Sequence, residues 1–144
     1  LKHSDNWKTP SEFYNSLDAE FNFDFDPCPY NENEIVNDGL KVEWGKSNFV
    51  NPPYSQKLKE QFVKKAVEEM KKGKVSVFII PVSTSTKLFH EWIKPNASEI
   101  EFLKGRIKFG KRDENGNFYL PLNDKGKTQS GTKDSMIVVF GTQS

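Results

Sequence analysis

The densest chemistry in the sequence lies in four consecutive residues, Asn51-Pro52-Pro53-Tyr54. Two prolines fix two φ angles and remove two backbone donors. Backbone carbonyls on such a turn can point outward with no neighbouring N–H to compete for them. Asn51 adds a side-chain carbonyl acceptor, and Tyr54 adds a flat ring. Acceptors beside a stacking platform suit the exocyclic amino group of an aromatic base. Such a nitrogen shares its lone pair with the ring and is a poor nucleophile. Hydrogen bonds from its two N–H groups to Asn51 and to the Pro52 carbonyl would favour the pyramidal geometry needed for attack on a methyl group. No strong base is required, because the amine loses its proton easily once methylated. Stacking on Tyr54 would hold a base rotated out of its helix, at about 1–3 kcal/mol per base. The competing reading is an ordinary strand-to-helix turn, since Pro and Asn are common in turns.

Placement favours the chemical reading. Asn48-Phe49-Val50 reads as a short apolar strand that the tetrapeptide ends. The spacing of Leu58, Phe62, Ala66, Val67 and Met70 predicts a helix from about Gln56 to Lys72, stopped by Gly73. Val75 to Ile80 is near-continuously apolar, as expected of a strand buried on both faces. Thr84-Ser85-Thr86 offers caps for a following helix with Leu88, Phe89, Trp92 and Ile93, and Pro95 should stop it. Upstream, Thr9 suits an N-cap, Pro10 the first helical position and Glu12 a capping box. Phe13, Leu17 and Phe21 give that helix an apolar face. Phe21 to Asp26 alternates apolar and polar, a strand signal ended by Pro27-Cys28-Pro29. Tyr30 to Gly39 reads as loop, and Leu40 to Gly45 is ambiguous. Ile100 to Leu103, Ile107 to Phe109 and Met136 to Phe140 read as strands.

This order predicts an α/β fold: a reduced Rossmann-like sheet, mostly parallel with an antiparallel edge, and helices on both faces. Ligands of such sheets lie beyond the carboxyl ends of the strands. Pro27-Cys28 and Asn51 to Tyr54 both fall at predicted strand ends, so the two should converge. The 144 residues suggest one domain, and 12 Phe, 4 Tyr and 3 Trp argue for a folded core. A net charge of +1 excludes a strongly basic protein. It does not exclude nucleic acid, for which local placement of charge matters more. A single cysteine, Cys28, excludes an internal disulfide and a cysteine-based zinc cluster. No apolar run is long enough to span a bilayer, and no signal-peptide pattern is seen, so a soluble chain in the cytoplasm is expected.

The sequence resembles the phage-type DNA adenine-N6-methyltransferases, within the amino-methyltransferases that share Asn-Pro-Pro-Tyr. The matching stretches are Trp7-Lys8-Thr9-Pro10, Phe23-Asp24-Phe25-Asp26-Pro27-Cys28, Asp38-Gly39-Leu40 with Trp44, Phe49 to Ser55, Lys65-Ala66, and Gly105-Arg106-Ile107-Lys108-Phe109. The resemblance covers roughly Trp7 to Phe109. It implies S-adenosylmethionine as methyl donor, DNA as partner, N6 of adenine as target, and a bacterial or phage-infected bacterial cell as setting. Thr9-Pro10 would contact the methionine end of the cofactor, with Trp7 either a lid over it or a packed anchor. Asp26-Pro27-Cys28 would form the first-strand motif, with Asp26 near the methionine amino group. Asp38 and Leu40 would lie at the cofactor adenine. Asn51, Pro52, Pro53 and Tyr54 would be catalytic, with Asn51 also bordering the cofactor and Tyr54-Ser55 facing the nucleic acid. The chain departs from the pattern in three places. Asn51 stands where many members have Asp. Pro29-Tyr30-Asn31 replaces the usual Gly-rich loop. Pro29 to Ser47 is too short for the usual pair of βα units, and Glu32 and Glu34 are the alternatives for gripping the ribose.

Lys104, Arg106, Lys108, Lys111 and Arg112 form a basic cluster suited to phosphates; a charge-protected strand edge is the alternative. The polar segment from about 110 to 134 reads either as a target-recognition element or as a disordered loop. Asp24 and Asp26 lack a third ligand, so no metal is expected. Cys28 reads as packed or cofactor-adjacent rather than nucleophilic, and His90 as a helix-surface residue. A chain this small is expected to need a second copy to enclose a duplex. Two rivals stay open: an amino-methyltransferase acting on RNA or on protein glutamine, and a degenerate domain that binds nucleic acid without catalysis.

Overall fold

The computed structural model describes residues 10–28, 38–53, 55–107, 111–112, 118–119 and 133–142, with backbone alone at 38, 106–107, 111–112, 118–119 and 133. Its centre is a four-stranded sheet of order β1-β2-β6-β3. β1 (Ser47–Val50) pairs in parallel with β2 (Val75–Pro81), from Ser47 opposite Val75 to Val50 opposite Phe78. β6 (Lys133–Phe140) runs antiparallel to β2 and to β3 (Glu99–Ile107). β1, β2 and β3 therefore share one direction, and β6 runs against them.

The expected mostly parallel sheet with an antiparallel edge is thus corrected. Only the β1–β2 ladder is parallel among these strands, and the reversed strand is interior. The reason is legible in side chains. Met136 to Phe140 is apolar at every position and wholly buried, which suits a strand covered on both faces. β3 exposes Glu99, Glu101, Phe102 and Lys104 and takes the edge. What had read as two strands at Ile100 and Ile107 is one, with a register shift between Phe102 and Arg106 where Gly105 adopts φ +77°. Such bulges blunt an exposed edge. Lys111–Arg112 (β4) and Phe118–Tyr119 (β5) pair antiparallel as a separate two-stranded unit within the segment read either as a target-recognition element or as a disordered loop.

Both faces of the sheet carry helix, as expected. Val75, Val77 and Ile79 of β2 pack with Phe49, Ile137 and Val139 against Leu17 and Phe21 of α1 (Ser11–Phe21). Phe78 and Ile80 pack with Val50, Met136 and Val138 against Phe62, Val63, Ala66 and Val67 of α2 (Gln56–Met70). Leu88, Phe89 and Ile93 join that second layer from a π-helical turn, Leu88–Ile93.

Several boundaries move. Pro10 is the N-cap of α1, without a side-chain cap bond, not its first helical residue; Thr9 lies outside the described residues. Phe21 is still helical, and Asn22 closes the helix in the left-handed region at φ 52°, a conformation Asn tolerates. The Asp18 carboxylate then accepts the Phe23 N–H at 2.8 Å. The alternating run from Phe21 to Asp26 therefore forms no full strand, only a parallel bridge of Phe25 to Asn48. Pro95 does not stop its helix but lies inside α3 (Lys94–Asn96). The preceding turn has shifted to π bonding, with the Lys94 N–H reaching the Phe89 carbonyl, and such re-registration accommodates the missing donor. Thr86 provides the expected cap, accepting the Phe89 N–H at 3.1 Å.

Candidate active site

Two segments that are far apart in sequence meet at the carboxyl ends of the parallel strands. The Phe25 carbonyl accepts the Phe49 N–H at 3.1 Å, and the Asp24 N–H donates to Ser47 at 2.9 Å. Pro27 then has no N–H with which to extend this pairing. One residue later the Cys28 thiol takes over, donating to the Asn51 carbonyl at 3.1 Å. The Cys28 N–H is in turn held by the Asp26 carboxylate at 3.0 Å. The Asp26 carboxylate and the catalytic-type turn at Asn51 are thus joined by two consecutive hydrogen bonds. Burial first, and the Asp26 charge second, push the Cys28 thiol well above its ordinary pKa. The sulfur stays protonated and acts as a donor, which agrees with a packed residue rather than a nucleophile.

The turn itself is only partly enclosed. Pro52 and Pro53 are buried, whereas Asn51 is half-buried at the surface. Ser55 caps α2: its Oγ accepts the Leu58 N–H at 3.4 Å and its carbonyl accepts the Lys59 N–H at 3.0 Å. Tyr54 lies outside the described residues, as do Trp7, Thr9 and Lys108.

A third segment closes on the first. Asp38–Leu40 forms a 3-10 turn whose Gly39 is buried against Pro27. A Cβ on Gly39 would stand 1.9 Å from the Pro27 carbonyl oxygen, so no other residue fits there without displacement. The Gly39 carbonyl accepts the Trp44 indole N–H at 2.7 Å, and Leu40 packs on the same core as Phe25. Asp26, Pro27, Cys28, Gly39, Leu40 and Asn51 are therefore neighbours. Asp24 is not part of this group. Its carboxylate accepts the Ser47 and Lys46 N–H groups at 3.2 and 3.4 Å, anchoring the start of β1 at the opposite end.

The basic cluster stands elsewhere on the sheet. Lys104 is exposed on β3, and Arg106 lies opposite Asp134 at the β3 end that shares its pole with Pro81. It is at the same pole as Asn51 but three strands across. Lys111 and Arg112 lie on β4. Pro10 is half-buried at the start of α1.

Sequence reasoning missed three contributors. Tyr14 packs edge-on to Phe49 at 4.9 Å, and burial, then the charges of Asp18 and Asp26, raise its hydroxyl pKa. Its helical spacing to Leu17 and Phe21 was the available signal. Lys59 is buried one turn into α2 and lines a small cavity with Ile80, Pro81, Ser83 and Thr86. Glu69, fully buried, accepts the Trp44 N–H at 2.9 Å and Lys74 Nζ at 2.9 Å, tying down the segment that carries Gly39. Glu69 stands seven residues after Phe62 and three after Ala66, on the buried face of α2, whereas Glu68 falls on the opposite face; that spacing was the available signal.

No group of acidic, His or Cys side chains among the described residues could hold a metal ion. No described helix is long and apolar enough to cross a membrane.

The model of a family described as DNA N-6-adenine-methyltransferase (Dam) matches residues 1–144. A relative in Escherichia phage T1, named DNA N-6-adenine-methyltransferase, is 33% identical over 125 residues, covering 80% of this chain and 50% of that protein. The chain spans about half the length of this curated relative. The match over the whole length, together with an Asn-Pro-Pro turn seated beside the Asp26-Pro27-Cys28 segment, means that the chain belongs to the DNA N-6-adenine-methyltransferase (Dam) family.

Proposed function

We propose that this chain is an S-adenosylmethionine-dependent methyltransferase acting on N6 of adenine in DNA, built on a reduced Rossmann-like sheet in which one reversed strand separates β2 from β3. The observation that carries the reading is the junction of Asp26, Cys28 and Asn51 at the carboxyl ends of the parallel strands, in a chain of this family. A carboxylate there suits the ammonium of the cofactor's methionine end, and the apolar Leu40 beside it suits a flat adenine. Trp7, Thr9, Pro10, Pro27 and Asp38 would complete that pocket, with Cys28 behind it and its thiol turned to the Asn51 carbonyl.

The cofactor, when bound, supplies an electrophilic methyl group. The chain's own task is to present the nitrogen. The side-chain oxygen of Asn51 and the main-chain carbonyl of Pro52 accept the two N–H groups of the target amine and draw its lone pair out of the ring. Tyr54 stacks on a base taken out of the duplex, and Pro53 keeps the turn rigid. After transfer the proton leaves the nitrogen to solvent, so no high-pKa base is needed. Ser55, Lys104, Arg106, Lys108, Lys111 and Arg112 would meet the DNA. Transfer of label from S-adenosylmethionine to DNA, RNA and protein tests this, with nucleoside analysis of the product. Label in N6-methyladenine of DNA is expected; label on protein and never on DNA would overturn it.

A further inference from the structure

Cys28 does not need to be where it is for packing alone. Its thiol is buried and lies 3.1 Å from the Asn51 carbonyl, at the point where Pro27 has ended the main-chain pairing between the two segments. Asn51 follows the last β1 residue paired with β2, Val50 opposite Phe78. The Cys28 side chain thus bonds the turn just beyond that ladder. Its own N–H is anchored to Asp26 at 3.0 Å. We infer that Cys28 is a positioning residue for methyl transfer: its S–H fixes the Asn51 main chain, and so the aim of the Asn51 amide, while its N–H references that aim to the Asp26 carboxylate.

The inference rests on the methyltransferase reading above and adds to it a residue that touches neither the methyl donor nor the target base. The geometry distinguishes the two carbonyls of the turn. The Asn51 carbonyl faces inward to sulfur, while the target amine requires the Asn51 side chain and the next carbonyl. A turn whose inner carbonyl is pinned is held against rocking about Val50–Asn51. Small misplacements of a reacting group are costly in rate, so the loss should fall on the chemical step.

Three forms of the full chain test this: wild type, Cys28→Ala and Cys28→Ser. Cys28→Ala is expected to lower kcat about tenfold, the scale of one lost hydrogen bond. The KM for DNA and the Kd for S-adenosylmethionine should move less than about twofold, as expected when an interaction felt in the transition state is lost. Cys28→Ser, whose hydroxyl can donate to the same carbonyl, should recover most of the rate. Wild-type kcat in the alanine variant overturns the inference. So does equal impairment of both variants, which would mean that the sulfur only fills space. A loss confined to cofactor Kd also overturns it and makes Cys28 a cofactor contact instead.

An independent reading comes from the S–H stretch in the infrared. The chain has one cysteine, so the band belongs to Cys28 alone. It is expected at the lowered frequency of a donating thiol, and a free-thiol frequency overturns the inference whatever the kinetics. A wild-type chain that binds DNA and cofactor yet transfers no methyl group would instead sink the methyltransferase reading itself.

Discussion

Asn51 and Glu69 show how single side chains carry the two tasks of this molecule. Asn51 stands half-buried at the end of β1, with its main-chain carbonyl pinned by Cys28. If its amide oxygen is an acceptor for the target amine, Asn51→Ala should lower kcat about a hundredfold or more, the scale seen when one preorganised hydrogen-bonding group is removed. Asn51→Asp keeps an acceptor and should retain transfer within about tenfold. Steady-state kinetics with circular dichroism as a control for folding would check both, and near-normal activity of the alanine variant would dismiss the proposed cradle. Glu69 acts on stability. Burial alone pushes its carboxyl up, but hydrogen bonds from Lys74, the Trp44 amide and Lys72 outweigh this and hold it at about 2. A carboxyl whose folded pKa lies below its unfolded value stabilises the fold when ionised. That stabilisation is complete above pH 4.5, the ordinary value, and fades as pH falls towards about 2. Glu69→Ala strands the buried Trp44 N–H and should cost about 3 kcal/mol. Thermal melts across this pH range should show a steep acid loss in the wild type and a shallower one in the variant. Parallel slopes would remove Glu69 from the account.

At the scale of elements, Gly39 is where the third segment of the site closes. A Cβ there would meet the Pro27 carbonyl at 1.9 Å, so Gly39→Ala must separate the Asp38–Leu40 turn from Pro27. Overpacking of this kind costs about 1–3 kcal/mol, and the displaced turn carries Leu40, proposed to face the cofactor adenine. Calorimetry should show S-adenosylmethionine affinity falling about tenfold or more; unchanged affinity would mean that this turn does not border the cofactor. The need for glycine at that position is not visible in the sequence, because it arises from a contact between residues 12 positions apart. The elements themselves were legible where one periodicity ruled. α2 follows from its apolar spacing, and β2 from its near-continuous apolar run. The run from Phe21 to Asp26 misled because its aromatic residues serve three surroundings: Phe21 ends a helix, Phe23 joins an aromatic cluster with Tyr14 and Phe49, and Phe25 makes the one bridge. Met136 to Phe140 is apolar at every position, which suits an interior strand, but its direction and its partners β2 and β3 are set by topology rather than by local pattern. The convergence of Pro27-Cys28 with Asn51 was legible because both were read as following extended segments, and Phe25 does run parallel to β1 where it bridges Asn48. The Cys28–Asn51 bond that joins them was not.

On the scale of the whole molecule, charge is arranged by pole rather than by total. A net charge of +1 offers no general attraction to DNA, so the DNA binding proposed above would have to come from local placement. At the pole away from Asn51, Lys72 and Lys74 are engaged by Glu69 and Glu43 at 2.9–3.6 Å. At the pole that Asn51 shares with the end of β3, Lys104 is exposed and Arg106 follows the Gly105 bulge. The order β1-β2-β6-β3 sets β3 three strand spacings from β1, or about 14 Å. In the proposed reading, cations at that offset would hold the DNA backbone while one base is turned towards Asn51. Each phosphate neutralised steepens the salt dependence of binding by about 0.9 in a log–log plot for duplex DNA. The double variant Lys104→Ala with Arg106→Ala should therefore bind more weakly at low salt and lose about 2 from that slope. At saturating DNA its kcat should stay close to wild type, because neither residue adjoins the reacting atoms. Fluorescence anisotropy over a salt series, paired with kcat at saturation, separates the alternatives. An unchanged slope would make the β3 cations protection for an exposed sheet edge, and the DNA path would then have to leave Asn51 in another direction.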